Sequence, residues 1–314
     1  MEGWMSRFGH ILRVAGIVLL FFGHCGAAGG KVTKHGHEIK SFAVYYGEPR
    51  TKLLSTFDLA VIESASYTPE QIDLIKKNGT LVICYCTIGE LDSHEAALFK
   101  NRKGWYMDGD KDGAPDRNAN WDSFYANPAD PQWRRFVLEK TQRTMNEKHC
   151  DGIFMDTVDT VDLYPKSADA MTGLVRSIRD ANPGAFIISN RGFAIMEGIA
   201  PFIDGVLFEC FSTDYDFEKK HYRRFDIDDM KYNHIIYENK LKAFIKRGGL
   251  VFSLDYALPD QKNLINFAWT RAMDYGFIPS ISQVELNKVS NITGRFIPDI
   301  QRQFGKDALA RNKP

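Results

Sequence analysis

The sequence lacks an excess of either charge, because its 40 Lys and Arg residues match its 40 Asp and Glu residues. Proteins that bind nucleic acid usually carry a basic excess, so this balance argues against that class of partner. No Gly-x-Gly-x-x-Gly turn follows the first predicted strand, which argues against a dinucleotide site. No Cys-x-x-Cys pair suggests a metal site. The sequence therefore supports neither a dinucleotide site nor a metal site of this kind.

Long hydrophobic runs are also lacking, apart from a short one near the N-terminus. Arg7 and Arg13 precede the apolar residues from Val14 to Phe22, and small residues follow. This order is typical of a secretory signal peptide. The run is too short for a comfortable transmembrane helix, although an uncleaved anchor is the alternative. We predict a signal peptide over residues 1–28, a secreted or periplasmic protein, and no stable membrane association after cleavage.

Cysteine is scarce, and four residues remain beyond this segment, namely Cys84, Cys86, Cys150 and Cys210. All of them lie within or beside predicted strands. Cys84 and Cys86 share one face of a strand, which is a poor arrangement for a mutual disulfide. A free Cys behaves as a small hydrophobe, so buried free thiols are expected.

Short apolar runs alternate with helical segments along the rest of the chain, which predicts an α/β fold. The runs cover residues 42–46, 57–63, 81–86, 153–156, 185–190, 206–209, 250–255 and 276–281. Helices are predicted over residues 68–78, 133–149, 167–181, 194–199, 239–246 and 261–275. Eight strands predict a (β/α)₈ TIM barrel with a long insertion after strand 3, and a doubly wound open sheet is the alternative. The predicted boundaries are a linker over 29–40, the barrel over 41–290 and a tail over 291–314.

Two of the predicted strands end in a carboxylate, Asp156 and Glu209. The carboxyl ends of barrel strands meet at one mouth, so we predict that these side chains face each other across a pocket. Two carboxylates flanking a bond are the minimum apparatus for cleaving a glycoside. A Glu between Phe208 and Phe211 is costly to bury unless it is paired or used. Asp156 could instead cap the loop after its strand.

A second group of residues near the strand ends is predicted to hold the substrate. The group is acidic and aromatic with one amide and one arginine, which suits a neutral or cationic sugar better than a phosphate. It comprises Tyr45, Tyr46, Glu63, Tyr85, Glu90, Asn190, Arg191, Asp255 and Tyr256. Asp255 could instead pair with Arg191, and Tyr45 and Tyr85 could equally pack in the core.

The insertion contains one weak candidate for a metal site, Asp108, Asp110 and Asp112. Alternating Asp residues followed by Gly resemble the opening of a calcium loop. Ala119 stands where such a loop has its Glu, although Asp116 could serve at the ninth position. The alternative is a solvated turn rich in Asp and Gly.

Several segments taken together resemble family 114 of the glycoside hydrolases. These segments are 45–47, 57–61, 84–90, 151–159 and 208–209. The family comprises endo-α-1,4-polygalactosaminidase-like barrels and is related to the hydrolase domain of the Pel polysaccharide system. The resemblance extends over about residues 40–285, nearly the whole predicted barrel. It implies a (β/α)₈ fold, no organic cofactor, and Asp156 and Glu209 as the catalytic pair.

The resemblance implies an enzyme that cleaves α-1,4 linkages in galactosamine-containing polysaccharide, and the predicted signal peptide makes it a secreted one. Glu209 would protonate the leaving oxygen, and Asp156 would act as nucleophile or stabilise the transition state. The anomeric configuration would be retained at a carboxylate separation of about 5–5.5 Å and inverted at about 6.5–9.5 Å. The main alternative is a barrel that binds polysaccharide without cleaving it, since a fold does not fix a chemistry. A metal-dependent deacetylase or phosphodiesterase lacks a supporting cluster of histidines.

Overall fold

The computed structural model describes residues 31–32, 36, 38–99 and 102–288 of the chain. The predicted signal peptide over 1–28 and the predicted tail over 291–314 lie outside the described residues. Within the predicted linker, Lys31–Val32 pairs antiparallel with Glu38–Ile39, so part of this segment is a short hairpin. None of the helices in these described ranges combines the length and the apolar character that crossing a membrane requires.

Eight parallel strands form one sheet in which each strand pairs with the next along the chain. They are β1 (Phe42–Tyr45), β2 (Leu59–Ile62), β3 (Leu81–Thr87), β4 (Gly152–Asp156), β5 (Phe186–Asn190), β6 (Gly205–Glu209), β7 (Leu250–Tyr256) and β8 (Ile278–Ser282). β1 and β8 contact each other, so the sheet is nearly closed. The predicted TIM barrel is confirmed, because a doubly wound sheet would reverse its strand order.

Helices surround the barrel, and at least one lies between each pair of consecutive strands. They are α1 (Thr51–Leu54), α2 (Pro69–Lys76), α3 (Pro131–Lys148), α4 (Ala168–Ala181), α5 (Met196–Ile199), α6 (Ile227–Ile236), α7 (Lys242–Lys246) and α8 (Lys262–Asp274). α6 continues through a π-helical turn, Tyr237–Leu241, into α7. The helix predicted over 239–246 therefore begins much earlier, at Ile227. Ile227 and Ile235 are both exposed, so no clear apolar stripe marks this segment in the sequence.

Side chains along each strand point alternately into the barrel and outward against the helices, as the pleat of a strand requires. The barrel interior is one apolar cluster that includes Val44, Ile83, Phe154 and Leu207. The outward side chains pack in separate clusters against the helices. A strand-end residue therefore reaches the mouth only when it lies on the interior side of its strand.

Two excursions extend from the mouth. The insertion, residues 90–130 after β3, contains a three-stranded antiparallel sheet of Glu90–Asp92, Arg117–Asn118 and Ser123–Tyr125. The second excursion follows β6 and is an antiparallel hairpin of Thr213–Asp216 and His221–Arg224, called here the rim hairpin. The long insertion confirms the prediction, whereas the rim hairpin was not predicted.

A disulfide joins Cys84 in β3 to Cys150, just before β4, with their Cα atoms 6.0 Å apart. The expectation of four free thiols is therefore wrong for this pair. β3 and β4 are neighbours in the sheet, and this adjacency brings together two residues separated by 66 positions in the sequence. Cys86 and Cys210 are free.

Candidate active site

The side chain of Asn190, at the end of β5, links the two predicted catalytic carboxylates. Its Nδ2 donates hydrogen bonds to Asp156 Oδ1 at 2.8 Å and to Glu209 Oε2 at 3.0 Å. The three residues end three consecutive strands, β4, β5 and β6. Asp156 and Glu209 thus converge at one mouth.

Two tyrosines bind the remaining carboxylate oxygens. Tyr85 donates its hydroxyl proton to Asp156 Oδ2 at 2.8 Å, and Tyr256 donates to Glu209 Oε1 at 2.6 Å. Burial raises the pKa of both phenols well above the usual value, and the adjacent carboxylate charges raise it further. Both tyrosines therefore stay protonated at neutral pH and act as hydrogen-bond donors to the carboxyl oxygens.

Tyr46 completes the aromatic lining of this centre. Its ring meets that of Tyr85 edge to face, with centroids 5.2 Å apart. Burial raises its pKa, and the charges of Asp156, Glu209 and Glu63 add to the increase. Tyr46 therefore lies within the electrostatic field of all three acidic groups. Glu63 itself accepts a hydrogen bond from Ala65 N at 3.3 Å.

The backbone is in the left-handed region directly after each of the three bridged residues. Thr157, Arg191 and Cys210 have φ values of 62°, 51° and 56°. Side chains with a Cβ rarely adopt this conformation, and such positions cluster at functional sites. The same sharp turn therefore follows each strand end that carries a residue of the bridged centre.

One of these turns requires a close backbone approach. Thr157 Oγ1 accepts a hydrogen bond from Gly89 N at 2.8 Å. A Cβ added to Gly89 would lie 2.3 Å from the carbonyl oxygen of Thr157. Only glycine fits there, so this position fixes the loop after β3 against the turn that follows Asp156.

Arg191 and Asp159 form an ion pair beside the carboxylates. Arg191 Nη1 donates to the carbonyl oxygen of Glu209 at 3.2 Å, and its Nε lies 3.4 Å from Asp159 Oδ2. Burial raises the pKa of Asp159 to about 7, while Arg191 opposes the shift and Asp156 adds to it. Asp159 was not predicted as a site residue. It lies in the polar run that follows β4, and this run is the sequence signal that could have identified it.

Two predicted substrate-binding residues do not reach the centre. Tyr45 is on the outward side of β1, packs against helices and donates its hydroxyl to Glu48 O at 2.7 Å. Glu90 is buried and accepts hydrogen bonds from Asn118 Nδ2 at 3.1 Å and from the hydroxyl of Ser123. Glu90 therefore fastens the insertion to the barrel, and we assign neither residue a substrate contact.

Asp255 is also misplaced by the prediction, because it lies on the outward side of β7 and has 0% exposure. Its Oδ1 accepts hydrogen bonds from Ser212 N at 2.6 Å and from Thr213 N at 2.8 Å. It does not pair with Arg191, whose carboxylate partner is Asp159. Asp255 therefore holds the base of the rim hairpin.

Replacing Asp255 by Asn should change how stability depends on pH. Burial raises the pKa of Asp255 to about 6, although its backbone hydrogen bonds and Arg271 oppose the shift. An unfolded Asp has a pKa of about 3.9, so the folded state binds more protons between these values. The free energy of unfolding therefore falls as pH rises through this window. Asp255→Asn should remove the part of this decrease in the free energy of unfolding that Asp255 causes. Urea unfolding from pH 4 to pH 7.5 measures the change.

The control is Asp255→Ala, which leaves the two backbone N–H groups of the hairpin base without their acceptor. Relative to Asp255→Asn, which keeps an acceptor oxygen, it should cost about 2–6 kcal/mol at every pH, because each of the two buried unpaired donors costs about 1–3 kcal/mol. A constant stability difference between wild type and Asp255→Asn across the pH range would contradict the assignment.

The acidic segment of the insertion is arranged differently from the prediction. Oxygen atoms of Asp108, Asp110 and Asp116 lie within 4.8 Å of one another. Asp112 is not in the group and accepts a hydrogen bond from Ala114 N at 2.7 Å. Asp116 Oδ2 is already bonded by Gly109 N and by the Tyr164 hydroxyl, each at 2.7 Å. The carboxylates of this Asp-rich turn therefore accept hydrogen bonds from nearby protein groups.

A (β/α)₈ barrel whose mouth holds two carboxylates bridged by one amide has the layout expected of a glycoside hydrolase. The sequence model of glycoside-hydrolase family GH114 matches residues 27–296. The chain therefore belongs to this family, and the resemblance stated above is confirmed.

Two solved structures share the fold. The glycoside hydrolase domain of PelA from Pseudomonas aeruginosa is 24% identical, with 79% of this chain and 96% of that chain covered and a TM-score of 0.69. Aspergillus fumigatus Ega3, solved in complex with galactosamine, is 15% identical, with 85% and 97% covered and a TM-score of 0.59.

Two curated relatives are uncharacterized proteins. One from Thermotoga maritima is 22% identical over 292 residues, covering 80% of this chain and 82% of the relative. One from Methanocaldococcus jannaschii is 26% identical over 125 residues, which is 36% of this chain and only 34% of that protein.

Proposed function

We propose that the chain is a retaining glycoside hydrolase that cleaves α-1,4 linkages within galactosamine-containing polysaccharide. The observation that carries this proposal is the shared amide of Asn190, which holds Asp156 and Glu209 on either side of one position. Family membership supplies the reaction class.

The amide bridge limits the distance between the two carboxylates. Asp156 Oδ1 and Glu209 Oε2 are 2.8 Å and 3.0 Å from the same nitrogen, so they are no farther apart than the sum of these distances. That limit, which applies to the nearest oxygens of the two groups, is below the separation of about 6.5 Å at which an inverting enzyme accommodates its water. The geometry therefore favours direct attack by a carboxylate and retention of configuration.

In the proposed reaction, Glu209 gives its proton to the glycosidic oxygen while an oxygen of Asp156 bonds to the anomeric carbon. The leaving chain departs as an alcohol, and a glycosyl ester of Asp156 remains. Glu209, now ionised, takes a proton from water, and the resulting hydroxide displaces Asp156. Tyr85 and Asn190 stabilise Asp156 as a carboxylate at the start and the end of this cycle.

Three observations support an amino sugar as substrate. Ega3, which shares the fold, was solved with galactosamine bound. Asp156, Glu209 and Glu63 all act on Tyr46, so the mouth is acidic, and an ammonium group is attracted to such a site. Asn190 Oδ1 is buried and has no hydrogen-bond partner among the described residues, so it offers an acceptor for a sugar N–H or O–H.

We also propose that the protein is exported. The disulfide between Cys84 and Cys150 supports this localisation, because disulfides persist mainly in oxidising compartments. The basic head and apolar run at the N-terminus agree with it.

Hydrolysis of partially deacetylated α-1,4-polygalactosamine should release products that initially have the α configuration. The short distance between Asp156 and Glu209 is the reason, since two successive displacements restore the starting configuration. Proton NMR of the first turnover, before mutarotation, measures the outcome. Initial β products would refute the retaining geometry. Binding of the polymer with no turnover would instead favour a polysaccharide-binding barrel.

A further inference from the structure

Two exposed aromatic rings meet at the mouth, away from the carboxylates. Trp121 and Phe217 are each 60% exposed, and their rings contact edge to face with centroids 6.0 Å apart. They belong to different excursions, because Trp121 lies in the insertion after β3 and Phe217 lies at the turn of the rim hairpin after β6. β4 and β5 lie between these strands, so the contact spans the part of the rim where Asp156 and Asn190 are placed.

Phe217 is positioned by a series of ring contacts that leads down into the barrel. Its ring meets that of Tyr215 at 5.1 Å, and Tyr215 meets Tyr222 at 4.8 Å. Tyr222 is buried in the interior cluster that also contains Tyr256, whose hydroxyl binds Glu209. Two ring contacts therefore connect the exposed Phe217 ring to the apolar cluster of the barrel interior.

Trp121 is positioned by the residue that follows it. Asp122 accepts a hydrogen bond from Ser93 Oγ at 2.6 Å and forms an ion pair with Arg117. These contacts fix the chain on either side of the tip of the insertion. Both rings are therefore held in place by neighbouring groups while more than half of each side chain stays exposed, which a merely structural contact does not require.

The charged groups beside the two rings are mostly neutralised. Asp122 is paired with Arg117, and Asp216, just before Phe217, accepts a hydrogen bond from Lys219 N at 2.9 Å and lies near Lys219 Nζ. Glu218, which follows Phe217, is exposed to solvent, where salt screens its charge. The ring pair therefore differs in chemistry from the acidic centre.

We propose that Trp121 and Phe217 form a sugar-binding subsite that stacks against a pyranose ring of the polymer at a distance from the scissile bond. This inference rests on the proposed function. The subsite recognises the apolar C–H face of the sugar and not an ammonium group, so it accepts N-acetylated and free-amine units alike. It makes the protein favour chains long enough to reach both the carboxylates and the ring pair.

The test measures binding of α-1,4-linked galactosamine oligosaccharides of increasing length by calorimetry, in a Glu209→Gln background that prevents turnover. Trp121→Ala should weaken the binding of long oligosaccharides about tenfold, as expected for the loss of one aromatic contact. Trp121→Phe should keep most of the affinity, because it keeps a ring. Leu74→Ala is the matched control, since Leu74 is 55% exposed but belongs to the outer helix α2.

Salt and acetylation separate stacking from charge. The loss caused by Trp121→Ala should be the same at low and high NaCl, and the same for N-acetylated oligosaccharides. The subsite would be overturned if the loss caused by Trp121→Ala vanished at high salt. It would also be overturned if Trp121→Ala and Leu74→Ala bound oligosaccharides of every length with equal affinity. A parent protein that binds no oligosaccharide would overturn it as well. If wild type binds through Trp121 but hydrolyses none of these substrates, the proposed function fails and the subsite stands.

Discussion

Replacing Glu209 by Gln should lower kcat for polysaccharide hydrolysis by about 10³-fold, within the range of about 10²–10⁴ typical of a lost general acid. Gln keeps the shape of the side chain and one acceptor oxygen, which can still accept the hydrogen bond from Asn190, but it has no acidic proton to give. Asp156→Asn should lower kcat at least as much, because an amide oxygen cannot form the glycosyl ester. Release of reducing ends measures both effects.

Azide distinguishes the two roles. In Asp156→Ala, azide can occupy the space of the missing carboxylate and attack directly, which gives a glycosyl azide of inverted configuration. In Glu209→Ala, an aryl glycoside with a good leaving group still forms the ester of Asp156, and azide then releases a product of retained configuration. The opposite pattern would exchange the two roles. Hydrolysis that survives both Asp156→Asn and Glu209→Gln would remove the pair from catalysis altogether.

Most residues of the candidate site could be predicted from one property of the sequence, the alternation of inward and outward side chains along each strand. Tyr85, Asp156, Asn190 and Glu209 lie two residues beyond interior residues of the same strands, so they point into the mouth. The strand-end prediction named all four. The same alternation of side chains also explains why the predictions for Tyr45 and Asp255 fail.

Tyr45 alternates with the interior residue Val44, and Asp255 alternates with Leu254, so both point outward. Their inclusion came from proximity to a strand end without regard to which face they occupy. A stricter use of alternation, anchored on the interior residues, would have excluded them from the sequence alone.

Other features depend on contacts between segments that no local pattern encodes. The pairing of Cys84 with Cys150 requires knowing that β3 and β4 are neighbours and which face each residue occupies. The rim hairpin has polar strands, His221–Arg224 among them, and therefore lacks the alternation that marks a half-buried strand. Asp159 belongs to the site because its loop folds back beside Arg191, which is a tertiary effect.

Removing the disulfide should have the largest effect on stability. The bond closes a loop of 66 residues, and the loss of loop-closure entropy from the unfolded chain corresponds to about 4 kcal/mol in the chain-entropy treatment. Cys84→Ala combined with Cys150→Ala should therefore lower the free energy of unfolding by roughly this amount at pH 7.5. Urea unfolding of the double variant and of wild type, with and without dithiothreitol, measures the difference.

Cys86 supplies a control within the same strand. It is 1% exposed, is a free thiol, and burial raises its pKa to about 11, so it stays protonated at neutral pH. Cys86→Ala should cost only about 1 kcal/mol from lost apolar contact, and dithiothreitol should destabilise this variant as much as it destabilises wild type. If dithiothreitol fully reduces wild type without changing its unfolding midpoint, the disulfide does not stabilise the barrel. A large effect of the reductant would instead show that the stability of β3 depends on an oxidising environment. The position of Tyr85 beside Asp156 would then depend on it as well.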